Sequence, residues 1–137
     1  LEAFAIEEAA RTASPLQIQQ LEAAYLELLD TARAQNAQAF ILKDLALHEM
    51  IWQIASNEYL EVALRRIVHP IFAFTAIRIL SCHPFDLLQD AHSHLPIIDA
   101  IKLKKPAAAR DAFLASVDDW LSKIKDYVFG LSESPGA

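Results

Sequence analysis

The sequence predicts an all-α fold, an antiparallel bundle of six or seven helices, and three observations carry that expectation. Apolar residues recur at helical spacing, most clearly across Phe40–Leu60, where Leu42, Leu45, Met50, Ile51, Ile54 and Ala55 outline a wide buried face. Hydrophobic residues make up 54% of the 137, yet only two are Gly and six are Pro, too few for the frequent turns of an all-β fold. The breaks between periodic segments are short, which favours antiparallel neighbours in one bundle.

In chain order, Leu1–Ala13 is rich in the helix formers Ala and Glu. Ser14-Pro15-Leu16-Gln17 then combines a cap, a proline suited to the first helical position and a Gln that completes a capping box. This predicts a second helix from Pro15 to about Ala34 that buries Ile18, Leu21, Tyr25, Leu28 and Leu29. After a short connection, Ala34–Ala37, comes the Phe40–Leu60 stretch, which closes on Ser56-Asn57, Asn being common where a helix ends left-handed. Glu58–Leu80 reads as a fourth helix, kinked at Pro70, and its nearly all-apolar portion from Ile67 predicts a central, buried position. Beyond Ser81-Cys82-His83-Pro84, a short helix is expected over Phe85–Asp90, and another over His94–Leu103 with Ser93 as cap. The last helix should run from Pro106 to about Leu131, burying Phe113, Val117, Trp120, Leu121, Ile124 and Val128. One domain thus spans residues 1–131, and 132–137 reads as a frayed tail.

Composition excludes several classes of function. No apolar run reaches the roughly 18 residues of a membrane span; the nearest, Ile67–Leu80, is interrupted by His69, Pro70 and Arg78. One cysteine, Cys82, forms no internal disulfide and fits a cytoplasmic setting. Twelve basic residues face 18 acidic ones without a basic stripe, so these residues are not expected to bind DNA themselves. The opening Leu-Glu, inside a helical pattern and without Met, suggests a piece of a longer protein.

Asp44 and His48, four apart, share one side of an apolar helix and are either two metal ligands or a surface pair worth a few tenths of a kcal/mol. His92 and His94, two apart, point in different directions on a helix, so at most one faces a common pocket. A di-iron Glu-x-x-His motif, a zinc-protease motif and a Gly-rich phosphate loop are all missing. Arg78 shares a helical face with Ile67, Ile71 and Phe74. A guanidinium there needs either an acidic partner or an anionic ligand.

The order of these features resembles the C-terminal effector domain (FCD) of FadR-type regulators in the GntR family of transcription factors. The likeness rests on Glu2 with Ala9-Ala10-Arg11-x-Ala13, on Asp44-x-x-x-His48 followed by Ser56-Asn57-x-x-Leu60, and on His94-x-x-Ile97-Ile98-x-Ala100-Ile101 with Ala109. It implies a divalent metal, zinc or nickel, at the floor of a central pocket, with Asp44, His48 and His94 as ligands. The fourth ligand position, 22 residues after His94, holds Ser116, a poorer donor than imidazole, which implies weakened metal binding. Arg78, Ser116 and Asn57 become candidate effector-binding residues. The resemblance further implies a small organic acid as effector, a homodimer, and DNA binding through a winged helix-turn-helix that precedes these residues. A metal-dependent helical-bundle hydrolase is the alternative, and a plain oligomerisation module with a filled core is a third reading.

Overall fold

The structure, a computed structural model, describes residues 1–82 and 85–128, and all of their side chains except those of residues 78, 79, 81, 82 and 126–128. The described residues form α1 (Glu2–Thr12), α2 (Pro15–Arg33), α3 (Ala37–Ile54), α4 (Glu58–Cys82), α5 (Leu87–Ser93), α6 (Leu95–Lys102) and α7 (Pro106–Val128). The bundle is all-α, as the sequence predicts.

Local chemistry sets most of the boundaries. The capping box at the start of α2 is complete: Gln17 N–H donates to Ser14 Oγ (3.2 Å) and Ser14 N–H donates to Gln17 Oε1 (2.9 Å). Asn36 and Asp86 cap α3 and α5 by accepting from Ala39 N (3.1 Å) and Gln89 N (2.9 Å). With so few glycines, the ends of α2, α3 and α6 use Gln35, Ser56 and Lys104 in the left-handed region, at φ near 55°. The left-handed residue after α3 is therefore Ser56, whereas Asn57 accepts from Leu60 N (3.0 Å) and caps α4. Phe85 lies before α5 rather than in it, because Asp86 supplies the cap. Ser93 does not cap α6; its hydroxyl donates to Asp90 O, and His94 alone separates α5 from α6.

Helix α3 is the centre of the packing. One side of it places Phe40, Leu47, Ile51 and Ile54 in the main core with Leu21 and Leu28 of α2 and Ile97 and Ile101 of α6. Another side places Trp52 and Ala55 against Ala5 of α1 and Leu60, Leu64 and Val68 of α4. Each such large apolar side chain contributes roughly 1.5–3 kcal/mol by leaving water. Leu42, expected on the buried face, is 65% exposed, since the true stripe runs through Phe40, Leu47, Ile51 and Ile54. In α7, Ala109 and Phe113 are buried as part of the main core, Val117 packs against it, and Leu121 is exposed; Val128 lies among the undescribed side chains, as does the tail beyond α7 among the undescribed residues.

The expectation of a central, buried second half of α4 is overturned. Helix α4 runs on through Pro70, packing against α3, and Ile67, Ile71 and Ile77 remain 50%, 43% and 66% exposed. Phe74, Ile77 and Leu80 are thus presented outward, while Ile67, Val68, Ile71, Phe72 and Thr75 face a cavity that they roof. Arg65 fastens α4 to α3 through Glu49 (2.5 Å) while also pairing with Glu61 one turn back on its own helix (2.9 Å), and His69 meets Glu49 as well (2.6 Å). No helix among the described residues is long and apolar enough to cross a membrane.

Candidate metal and effector site

The site is built where α1, α3 and the α5–α6 junction meet. One helical turn of α3 carries Asp44 and His48 on the same side, and the junction directs His94 toward them. All three side chains are nearly buried, at 13%, 14% and 10% exposure. Asp44 Oδ1 lies 2.9 Å from His94 Nε2 and 3.5 Å from His48 Nε2, and the two Nε2 atoms are 3.3 Å apart.

The outer nitrogens of both rings are already engaged. His94 Nδ1 lies 2.9 Å from the backbone oxygen of Asp90, which can only accept, so this nitrogen carries the hydrogen. His48 Nδ1 lies 2.5 Å from Glu2 Oε1 on α1, and that same oxygen accepts from Trp52 Nε1 at 3.0 Å. Neutral rings held this way turn the lone pairs of both Nε2 atoms toward the Asp44 carboxylate. Asp44 Oδ1 is buried and accepts no hydrogen bond. Two lone pairs and a carboxylate oxygen facing one another require positive charge between them, from protons or from a cation.

A divalent ion fits that requirement. The triangle of donor atoms has a circumradius of about 1.9 Å, close to the roughly 2.0–2.2 Å bonds that zinc makes to imidazole and carboxylate, so one ion can reach all three. The outer hydrogen bonds that the rings donate to Asp90 O and Glu2 Oε1 are of the kind that fix ring orientation in metal sites. Protons serve the same electrostatic need when metal is absent. Burial pushes the His48 and His94 imidazoles down, but the carboxylates of Glu2 and Asp44 beside them more than offset it, and both are raised above the usual histidine range. Burial likewise pushes Asp44 up, while His94 and His48 hold it well below the usual carboxylate range. Asp90 is pushed up to about 6 by burial and by the neighbouring Asp44 charge.

Above this floor opens a cavity of about 460 Å³, walled by α3, α4 and α7 and within the size range of small-molecule sites. Of the other residues expected to act, Ser116 lines the cavity, although its hydroxyl donates to Phe113 O of its own helix (2.7 Å). Asn57 is exposed at the start of α4 and is not part of the cavity lining. The Arg78 side chain lies outside the described residues; Ile67 and Ile71, which share its face by helical spacing, do line the cavity. Sequence reasoning missed Asp90 and Trp52, and noticed Glu2 only as part of the resemblance. Glu2 and Trp52 depend on contacts across 46 and 50 residues that no local spacing encodes, whereas the contact of Asp90 with His94 spans a single turn.

Fold and site together define a helical binding domain: a bundle around a small-molecule-sized cavity whose floor is suited to a cation. The FCD domain family matches residues 1–119, and the chain belongs to it. It is a regulatory domain of the GntR type. Among solved structures, E. coli McbR/YncC superposes with a TM-score of 0.82 at 12% identity, covering 92% of this chain. At that identity the likeness speaks to fold, and the chain spans 63% of that structure's length. No curated protein matches the chain.

Proposed function

We propose that this chain is the effector-binding and dimerisation domain of a FadR-type GntR transcriptional regulator that senses a small organic acid. The observation that carries this reading is the buried Asp44, His48 and His94 triangle, with its unbonded carboxylate oxygen, beneath a ligand-sized cavity. In this reading the three residues hold zinc or nickel. Ser116 supplies no imidazole, so a coordination position stays open to water or to an oxygen of the effector. A carboxylate is the natural occupant, because a divalent cation, the imidazoles and the Arg78 guanidinium are each stabilised by an anion. Asn57, as the cap of α4, is left out.

The floor also touches α1 directly. Glu2 joins that helix to His48 and Trp52 of α3, so whatever binds at the triangle bears on the placement of α1. A winged helix-turn-helix preceding α1 would feel this as a population shift between arrangements of two DNA-binding domains in a cytoplasmic homodimer. The hydrolase alternative needs a general base beside the cation, and Asp90, at the cavity floor, is the carboxylate that could supply one. The FCD family favours the regulatory reading, and hydrolysis of ester or amide substrates by the zinc-loaded chain would decide against it.

The test is a thermal-shift screen of small carboxylates against their amides. An acid at a hundredfold excess over its dissociation constant should stabilise the domain by about 2.7 kcal/mol, and the matching amide should not. Arg78→Met keeps much of the stem and removes the charge, so it should abolish that shift while the domain stays folded. An unchanged shift would exclude Arg78 as the anion anchor, and an absence of any acid-specific shift would refute the sensing of acids.

A further inference from the structure

The cavity wall is chemically lopsided, and this bears on which acids it accepts. At the floor stand Glu2, Asp44, His48, Asp90 and His94, tied to one another by the contacts described above. The wall away from them is aliphatic and aromatic, with Phe40 and Ile41 from α3, Ile71 and Phe72 from α4, and Phe113 and Val117 from α7. Only three hydroxyl groups interrupt it among the described residues, those of Thr75, Ser93 and Ser116. Each donates its hydrogen to a backbone carbonyl of its own helix: Thr75 to Ile71 (2.9 Å), Ser93 to Asp90 (2.6 Å) and Ser116 to Phe113 (2.7 Å). Among the described wall side chains, the indole N–H of Trp120 is the remaining donor away from the floor.

We propose that the effector is an acid with one carboxylate and an apolar body, and that the site rejects polyhydroxylated and multiply carboxylated acids of the same size. This deepens the acid-sensing reading and rests on it. The floor can take one anionic group through the cation, yet it already carries three carboxyl side chains, so a second ligand carboxylate placed near it meets like charge. A hydroxyl or carboxylate placed against the aliphatic and aromatic part of the wall, away from Trp120 and the three hydroxyl oxygens, exchanges its water for side chains that offer no hydrogen bond in return. An apolar wall discriminates against a single added hydroxyl by only about a hundredfold, so the preference against polyhydroxylated acids comes from several such groups acting together. The cavity volume of about 460 Å³ limits the body to the order of ten to twenty non-hydrogen atoms at the packing density of protein interiors.

The experiment measures binding of a probe panel to the zinc-loaded 137-residue chain by calorimetry and thermal shift. Hexanoate, octanoate and 3-phenylpropanoate represent the apolar class; gluconate and citrate represent the polar class, with citrate binding corrected for chelation through its effect on free zinc. At least one apolar acid should bind tenfold or more tightly than both polar acids, and octanamide should not bind. Ile71→Gln, at a half-exposed position that tolerates a polar side chain in the fold, should narrow that preference at least threefold by giving the wall a hydrogen-bonding group. Gluconate or citrate binding as tightly as the best apolar acid overturns the proposal while leaving acid sensing intact. An apolar amide binding as well as its acid overturns both.

Discussion

Replacing Asp44 by Asn tests the centre of the site with the least disturbance of shape. The amide keeps the volume of the carboxyl group but removes its charge, and it is a poor metal donor. In the native chain, zinc at a hundredfold excess over its dissociation constant stabilises the folded state by about 2.7 kcal/mol. For a chain of 137 residues, each kcal/mol moves the melting temperature by about 3–4 °C, so zinc should raise it by about 8–11 °C. Loss of even an outer-sphere partner weakens metal binding by about ten- to a hundredfold, and loss of a ligand should reach at least the upper figure. The same zinc concentration then half-fills the variant's site and contributes about 0.4 kcal/mol, a shift of about 1–2 °C. Differential scanning fluorimetry with added zinc or nickel, each referenced to the same protein in EDTA, separates this from any effect of the substitution on folding. An Asp44→Asn variant that keeps more than half of the native shift would show that the metal binds elsewhere, and the reasoning from the donor triangle would fall.

Three further expectations follow from the same geometry. Ser116→His adds an imidazole to the cavity wall and should tighten zinc or nickel by tenfold or more in competition with a chromophoric chelator, since imidazole is a better donor than a hydroxyl; unchanged affinity would mean that this position does not reach the ion. In EDTA, His48 and His94 bind protons more tightly in the folded state than in the unfolded one. The stability they lend is therefore complete below about pH 6.5 and lost as pH rises through their folded values, so the melting temperature should fall from pH 6.5 toward pH 9. Excess zinc should reverse that trend because ligation needs unprotonated imidazole, and a metal-free melting temperature that rises across this range would contradict the described hydrogen bonds. A homodimer predicts a solution mass twice the 15.3 kDa of one chain by light scattering, and a mass of one chain at micromolar concentration would refute it.

How much of this was legible in the sequence depended on the range of the interaction involved. The capping box at Ser14 and Gln17 and the single helical turn between Asp44 and His48 are local, and both appear in the structure as spacing predicts. That His94 joins them was implied only by the family resemblance, because residues 46 apart meet through the fold of α5 and α6 rather than through periodicity. The same limit hid Glu2 and Trp52 as partners of the site, whereas Asp90, one turn from His94, was within reach of local spacing. The stripe on α3 was misread at Leu42 because an apolar helix touched on several sides has no single face, and composition cannot tell which sides are covered.

Helix α4 shows that limit most sharply, and it also shows why the error mattered. A segment apolar nearly all round predicts a central position, since water would otherwise meet apolar surface. The structure places the segment at the periphery, with Ile67 and Ile71 both half exposed and both lining the cavity. Residues that wall a cavity keep part of their surface accessible, so these residues are apolar because of what they enclose as much as what they pack against. The periodicity of a filled core and that of a ligand cavity are the same in sequence, for both need apolar side chains facing inward. What separates them is the polar floor: a core has no use for two imidazoles and a carboxylate whose acceptor atoms face one another, and a binding site does. The Asp44 and His48 pair was therefore the sequence's strongest sign that the apolar stretch of α4 roofs a site.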